Sequence, residues 1–353
     1  MNGSKHMRHT KRSGVLISLL LLLLSRCQLN GALDSARLNP RELPLTGPVA
    51  GVAGSLLYAN GLVLRSYEIS TGAFRDLATF PTDSYADHPA VSPDASTIAF
   101  TLYHANRGES DPENGADLML MNVDGTNQRV LVAHALPGEW LTDAAWSADG
   151  ATLFFTREHP AGPPRIERMH IDSRERDVVV AKGHSPSLSA DGPSLAFLRD
   201  EAGGGQGLYV ATLDGGSPLA GVERAIVIGE RFDQLAAPRF SPAGSQIAFA
   251  GVGGPPPTAQ SKPAPPSPGW GWLGARSVAA HGVPWEVWTV DADGGNLRKL
   301  TDLAEDAPMP LWSPDGTGLA LKGELGLYLI DPATGSARRL VQELAGDGIA
   351  WLP

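Results

Sequence analysis

A short turn pattern that recurs five times along the chain constrains its fold more than any other feature of the sequence. The clearest copy is Trp312-Ser313-Pro314-Asp315-Gly316, and a short apolar run follows each copy. The serines of the five copies are Ser92, Ser147, Ser189, Ser241 and Ser313. Proline fixes φ at the second position of a tight turn, and glycine accepts the left-handed backbone that closes it. Each copy therefore predicts a β-hairpin.

Each hairpin is followed by two further stretches of strand character. Residues 208–215 are typical of a third strand that ends in an Asp-Gly turn, and residues 297–300 are typical of a fourth strand. Successive serines of the pattern are 42 to 72 residues apart, so the longer repeats carry insertions. Four short antiparallel strands, repeated in this way, are typical of the blades of a β-propeller.

The Trp-Ser-Pro-Asp-Gly element and the strand after it resemble the repeat of the WD40-like, TolB-type β-propeller family. The resemblance covers about residues 54–353. It implies the propeller fold and says little about function. The separate N-terminal domain of the family's namesake has no counterpart in the short stretch before residue 54, so a role in its transport complex is not carried over.

The two ends of the repeat region supply the pieces of one further blade. Residues 55–58, 62–69 and 74–77 are typical of the last three strands of a blade, and residues 348–352 are typical of a lone first strand. We therefore predict an all-β fold, a six-bladed β-propeller of four-stranded antiparallel blades. Its ring is closed by the C-terminal strand joining the N-terminal blade, which hides strand edges that would otherwise template aggregation.

The first 32 residues have the character of a targeting segment. Residues 1–13 carry four Lys or Arg and no acid, and residues 15–24 form an apolar run that ends in six leucines. That run is about half as long as a bilayer-spanning helix, so we predict a signal peptide or an N-terminal membrane anchor on residues 1–32. Cys27 is a candidate for lipidation, although Arg26 departs from the small residue that lipoprotein signals prefer before the cysteine.

The amino-acid composition limits the classes of partner and the cellular location that we expect for this protein. The formal net charge of −10 is a poor match for nucleic acid, and the single cysteine excludes a disulfide framework. We expect an exported monomer, periplasmic or extracellular, with membrane association through its N-terminal segment as an alternative. Residues 33–53 contain three prolines and predict a linker to the propeller at residues 54–353.

The long connections between strands fall on one face of the predicted propeller, at residues 103–116, 158–164 and 251–284. The last of these is Pro-rich and carries Trp270 and Trp272, with Trp285 just beyond its end. Loops on a rigid scaffold commonly hold binding groups, so this insertion is a candidate recognition element. A disordered Pro-rich insertion is the alternative.

Acidic and histidine residues precede the predicted first strands, where they would ring the channel on that same face. They are Asp87, His88, Asp143, His184, Asp306 and Asp347, with His104, His159 and His281 in nearby loops. Imidazole and carboxylate both ligate divalent ions, which makes His88 and His184 candidate metal ligands. An acidic funnel for a cationic ligand, and side chains that only cap strand ends, are the alternatives.

Three familiar catalytic or phosphate-binding motifs do not occur in the sequence. It has no Gly-x-Ser-x-Gly elbow, no phosphate-binding glycine motif and no His-Glu-x-x-His, so we assign no catalytic residue and no definite cofactor. The sequence favours a non-catalytic binding module of the cell envelope that recognises a protein, peptide or glycan at the insertion-bearing face. A metal-assisted lyase or hydrolase with a His/Asp site at the channel mouth is the alternative.

Overall fold

The computed structural model describes residues 43–104, 111–202, 204–215, 217–228, 231–254, 285–303, 305–342 and 348–353. The predicted targeting segment lies outside these ranges, as do Cys27, Trp270, Trp272, His281 and Asp347. Within the described ranges the regular elements are β-strands, without an α-helix, as predicted. A search of the same residues for an apolar helix long enough to cross a membrane finds none.

The described residues form 24 strands. They are β1 (Ser55–Asn60), β2 (Val63–Glu68), β3 (Phe74–Thr79), β4 (Ser84–Val91), β5 (Thr97–His104), β6 (Gly115–Asn122), β7 (Arg129–Val132), β8 (Glu139–Trp146), β9 (Thr152–His159), β10 (Gly162–His170), β11 (Arg176–Val180), β12 (His184–Leu188), β13 (Ser194–Asp200), β14 (Gln206–Asp214), β15 (Ser217–Val227), β16 (Phe232–Phe240), β17 (Gln246–Gly253), β18 (Glu286–Asp291), β19 (Arg298–Lys299), β20 (Met309–Trp312), β21 (Leu319–Gly323), β22 (Gly326–Ile330), β23 (Ala337–Gln342) and β24 (Ile349–Leu352).

These strands form four sheets of four strands and one sheet of eight. The four-stranded sheets have the orders β24-β1-β2-β3, β12-β13-β14-β15, β16-β17-β18-β19 and β20-β21-β22-β23. The eight-stranded sheet consists of two antiparallel meanders, β4 to β7 and β8 to β11. A short parallel pairing of β6 with β8, Gly115 opposite Glu139 and Ala116 opposite Trp140, joins the two.

The first strands of the successive meanders, which we call the inner strands, are β4, β8, β12, β16, β20 and β24. Each contacts the next in this order, and β24 contacts β4. They surround a cavity of about 380 Å³, to which every inner strand contributes. Its lining includes Pro89, Ala144, Pro186, Arg239, Leu311 and Ala350. Small antiparallel sheets arranged about central strands are the architecture of a β-propeller, so the prediction of that fold is confirmed.

The repeated serine explains the turn pattern physically. In all five copies its hydroxyl accepts a hydrogen bond of 2.9–3.1 Å from the backbone N–H five residues later. In three copies it also donates to the Asp two residues later, at 2.6 Å. Hydrogen bonds from the serines are the main cause that lowers the pKa of Asp94, Asp149 and Asp315. The glycines of the turns have φ of 69–88°, and Ala95 takes the same place in the first copy with φ 56°.

The last strand pairs with the first. β24 lies antiparallel to β1, with Trp351 opposite Leu56 and Ile349 opposite Tyr58. Ile349 and Trp351 are buried in one cluster with Leu56 and Tyr58. Desolvation in this packing raises the pKa of Tyr58 to about 12.

Two connections differ from what the sequence suggested. Residues 43–53, part of the predicted linker, pack on the propeller, since Thr46 donates its backbone N–H to Arg339 and Val49 donates to Ile69, at 2.9 and 2.8 Å. Residues 158–164, predicted to be an insertion, are mostly the ends of β9 and β10, with Gly162 opposite His159. The strands extend into the connection and leave only a tight turn.

Candidate functional site at the start of the inner strands

A β-bulge near the end of four inner strands determines where the side chains of the candidate site lie. The register of β4, β8, β12 and β16 shifts two or three residues before the strand ends. At the bulge His88, Asp143, Ser185 and Ala237 have φ of 48–53°, and Gly348 before β24 has φ 80°. The first four each lie four residues before the repeated serine. Left-handed φ is uncommon outside glycine and is maintained only where the surrounding structure imposes it.

This geometry corrects one part of the sequence interpretation. Asp87, His88 and Asp143 were expected just before the first strands, but they lie inside β4 and β8, because both strands start several residues earlier. His184 is the first residue of β12, and Asp306 lies in a bend before β20. The bulge recurs in four inner strands, but its side chain differs from one to the next. His88, Asp143, Ser185 and Ala237 stand at this place on β4, β8, β12 and β16, and Gly348 stands just before β24.

Asp143 is the centre of a hydrogen-bond network. His88 on β4 donates from Nδ1 to Oδ1 of Asp143 over 3.1 Å. Ser185 on β12 donates its hydroxyl to Oδ2 over 3.2 Å. Thr156 on β9 lies 3.4 Å from the same oxygen and accepts the backbone N–H of Ser185 at 2.9 Å. The Asp143 carboxylate therefore connects the inner strands β4, β8 and β12, which belong to two sheets.

The network continues to a fourth inner strand. Because the hydroxyl proton of Ser185 is directed to Asp143, Nδ1 of His184, 3.1 Å from that hydroxyl oxygen, must be the donor. Nε2 of His184 then accepts from the side-chain amide of Gln206, 3.4 Å away. The carbonyl oxygen of that amide accepts the backbone N–H of Leu235 on β16 at 3.0 Å. His88 and His184, both predicted from the sequence, thus belong to one chain of hydrogen bonds.

Charge reinforces this arrangement. Burial by itself would raise the pKa of Asp143, but His88, Arg239 and His184 outweigh it and lower that pKa well below its usual range. The desolvated guanidinium of Arg239 on β16 has its own pKa lowered by burial, against the opposing effect of Asp143. An ionised carboxylate in the protein interior is stable only with such partners.

Aromatic side chains lie at the same ends of the strands. Tyr85 and Trp140 occupy equivalent places, three residues before His88 and Asp143, and are 38% and 42% exposed. Tyr85 stacks on Tyr103 of β5, with ring centroids 4.7 Å apart and an interplanar angle of 8°. The ring of Tyr103 lies 6.5 Å from that of His88. Aromatic surface and buried charge therefore meet beside His88.

Other candidates from the sequence have local roles. Trp285 is 9% exposed, bonds Glu305 through its backbone N–H at 3.0 Å, and packs with Ala250 and Val252. His159 accepts the backbone N–H of Ala161 at 3.1 Å and so closes its turn. Neither residue joins the Asp143 network.

Several residues of the site were missed from the sequence. Ser185, Gln206 and Arg239 carry no motif of their own. A usable signal was the place four residues before the repeated serine, which holds His88, Asp143 and Ser185 in three successive repeats. The role of His88 and His184 as metal ligands stays a prediction. Among the described residues, the group of His, Cys, Asp or Glu that brings three ligand atoms within 4.8 Å of one another is elsewhere, at His104, Asp117 and His134.

No family model and no curated protein matches the sequence. Among solved structures, the chain is similar to TolB from Acinetobacter baumannii, with 19% identity and a TM-score of 0.61 over 88% of this chain and 69% of that one. It is also similar to a putative TolB from Agrobacterium tumefaciens, with 18% identity and a TM-score of 0.50 over 74% and 83% of the two chains. The tricorn protease matches with 16% identity and a TM-score of 0.54 over 84% of this chain and 27% of its own. At these identities the likeness establishes a TolB-like β-propeller fold.

Proposed function

We propose that this protein is an exported, non-catalytic binding module of the cell envelope. It recognises a protein, peptide or glycan at the insertion-bearing face, where the inner strands begin. The observation that carries the proposal is the stack of exposed Tyr85 on half-buried Tyr103 beside His88, with exposed Trp140 at the equivalent place on β8.

The chemistry of these groups suits recognition. Exposed aromatic rings give a large contact area at a small cost in side-chain entropy, and they are enriched where proteins bind partners. The neighbouring His88 and Asp143 are held in place by bonds to other strands, so they need no reordering when a ligand arrives. A polar ligand with one flat apolar side would satisfy both parts of the surface.

The hydrogen-bond order favours binding over catalysis. In a serine hydrolase the histidine lies between the serine and the carboxylate and takes the serine proton. Here Asp143 lies between His88 and Ser185, and the Ser185 hydroxyl donates to the carboxylate at 3.2 Å. The Ser185 hydroxyl thus donates to a carboxylate, and the imidazole beside it, His184 at 3.1 Å, donates to the hydroxyl instead of taking its proton.

Export is supported by the sequence before the propeller. The basic residues 1–13 and the apolar run 15–24 have the order of a signal peptide or membrane anchor. A TolB-like fold is compatible with a place in the envelope. The monomeric state and the absence of a nucleic-acid partner remain expectations from the sequence.

We also propose that the propeller is a closed ring of six blades. Counting the eight-stranded sheet as its two meanders gives six units of four strands. The circular order of contacts among the inner strands and the pairing of β24 with β1 support this count.

The test compares capture of envelope material by the wild-type chain and by a Tyr85→Ala, Trp140→Ala double variant. Phe74→Ala is the matched control, since Phe74 is an exposed aromatic on β3 of another sheet. We expect the double variant to bind at least about tenfold more weakly, the effect of removing aromatic anchor residues, while Phe74→Ala binds as wild type. Equal capture by the folded double variant would overturn the proposed site. Treating the extract with protease distinguishes a protein or peptide, whose capture is lost, from a glycan, whose capture remains.

A metal-assisted lyase or hydrolase is the second candidate. Its specific support is the 3.1 Å contact of His88 with an ionised Asp143, the arrangement by which a carboxylate orients a general-base imidazole. Turnover of an envelope polysaccharide by the wild-type chain that disappears in His88→Gln would favour this candidate over a binding module.

A further inference from the structure

Three ligand-type side chains meet away from the Asp143 network, where the β5–β6 connection begins and ends. His104 ends β5, Asp117 lies on β6, and His134 follows β7. Nε2 of His104 lies 3.1 Å from Oδ2 of Asp117, and Nδ1 of His134 lies 2.6 Å from Oδ1. The three side chains are 10–21% exposed. Their ligand atoms all lie within 4.8 Å of one another.

The hydrogen-bond partners of His134 determine which of its two ring nitrogens would face a bound metal ion. Nε2 lies 3.1 Å from the backbone carbonyl of Pro112, which only accepts, so Nε2 carries a hydrogen. Nδ1 faces a carboxylate oxygen, which also only accepts when ionised. The 2.6 Å separation is that of a hydrogen bond, so a metal ion bound by both groups would take the place of this hydrogen and hold the two atoms about 3 Å apart. A metal-binding histidine commonly donates its other ring N–H to a backbone carbonyl, as His134 does.

The surrounding backbone is built to hold His134 in this position. A Cβ on Gly115 would lie 2.5 Å from Cδ2 of His134 and 2.8 Å from the backbone oxygen of Glu139, so only glycine allows this approach. The backbone N–H of His134 donates to Oδ1 of Asp117 at 2.8 Å. The next residue, Ala135, donates to the carboxylate of Glu139 at 2.6 Å.

Glu139 is itself fixed. It is buried on β8 and paired with Arg157 of β9, whose Nε lies 2.5 Å from Oε1. Arg157 also bonds Glu167 of β10 at 3.2 Å. The loop that carries His134 is thus tied to a second set of strands, which limits how far its ring can move.

We propose that His104, Asp117 and His134 form a binding site for a divalent transition-metal ion of the zinc type. Two imidazoles and one carboxylate suit Zn²⁺ and its first-row neighbours, whereas Ca²⁺ and Mg²⁺ prefer sets made of oxygen. The ligands are Nε2 of His104, the Asp117 carboxylate and Nδ1 of His134. Three protein ligands leave further positions to solvent or to an external ligand, so the site can link the propeller to a partner group. This inference does not depend on the proposed function at the Asp143 network.

The test measures Co²⁺ binding to the full chain by visible absorption and Zn²⁺ binding by titration calorimetry. The variants are His104→Gln and His134→Gln, and the matched control is His159→Gln, a turn histidine outside the cluster. We expect each cluster variant to lose one equivalent of metal, or to bind it at least about tenfold more weakly, while the control binds as wild type. Wild type should also show the intense visible bands of low-coordinate Co²⁺ and a higher Tm with Zn²⁺.

The proposal is overturned if Zn²⁺ does not raise the Tm of wild type, or if both cluster variants bind as many equivalents as His159→Gln and with the same affinity. In those cases the three side chains are a hydrogen-bonded pair of histidines on one carboxylate. If His134→Gln does not fold, His104→Gln decides alone, because its ring is the most exposed of the three. Loss of metal without loss of envelope capture would separate this site from the proposed binding face.

Discussion

The indole N–H of Trp312 on β20 donates a 3.1 Å hydrogen bond to the backbone carbonyl of Arg239 on the preceding inner strand, β16. Trp146 on β8 makes the same bond to Ala90 on β4, also at 3.1 Å. In the repeat pattern the tryptophan directly precedes the serine. Arg239 and Ala90 each lie two residues before the serine of their own repeat, and therefore one residue before the tryptophan position. The tryptophan of the repeat pattern therefore connects neighbouring inner strands.

Replacing Trp312 by phenylalanine tests this connection. The variant keeps an aromatic ring but leaves the Arg239 carbonyl without its indole donor, so we expect the free energy of unfolding to fall by about 1–3 kcal/mol. Urea unfolding gives the value. Trp140→Phe is the control, since Trp140 is exposed, and it should change the stability by less than about 0.5 kcal/mol. Equal losses in the two variants would show that the bond does not stabilise the fold.

Asp143 should make the free energy of unfolding depend on pH in the acidic range. Its pKa is lowered in the folded state because His88, Arg239 and His184 outweigh burial, so its contribution is complete above the unfolded pKa of about 3.9 and is lost as pH falls below it. We expect Asp143→Asn to cost about 3 kcal/mol at pH 7 and to flatten the loss of stability between about pH 5 and 3.

Asp76→Asn is the control for this pH experiment. Asp76 has its pKa lowered by a hydrogen bond from Arg65, but the pair is on the surface, so its loss should cost no more than about 1 kcal/mol. Unfolding curves at a series of pH values provide the comparison. An unchanged pH slope in Asp143→Asn would mean that the carboxylate does not stabilise the fold through its charge.

The sequence was sufficient for the propeller because each repeat carries its own local turn chemistry. Ser313, Asp315 and Gly316 specify one hairpin through bonds within six residues, which a pattern can reveal. The Asp143 network and the His104–His134 cluster join residues from different strands and depend on register. The bulge at His88 moves side chains relative to a regular strand, and the sequence contains no direct mark of it except its place before the repeated serine.

Deletion of the Pro-rich insertion, predicted as a recognition element, separates a binding role from a structural one. A Cβ added at Gly254 would lie 2.5 Å from the Trp288 ring, so a deletion should leave this glycine in place and cover residues 255–282, with a short Gly-Ser connection instead. We expect Tm to change by no more than a few degrees and envelope capture to be lost. Differential scanning calorimetry and the capture assay measure the two effects. A large fall in Tm would show that the insertion is structural, and unchanged capture would remove Trp270 and Trp272 from the binding surface.

Removal of residues 349–353 tests the part played by β24. This strand pairs with β1, contacts β4 and β20, and buries Ile349 and Trp351. Its loss would open the edge of β1 and expose the apolar cluster around Leu56, so we expect aggregation or unfolding. Light scattering after size-exclusion chromatography detects either outcome. Deletion of the exposed Pro353 alone is the control, and a synthetic peptide of residues 348–353 added in trans should restore the monomer. A truncated chain that stays monomeric with wild-type Tm would contradict ring closure by the C-terminal strand.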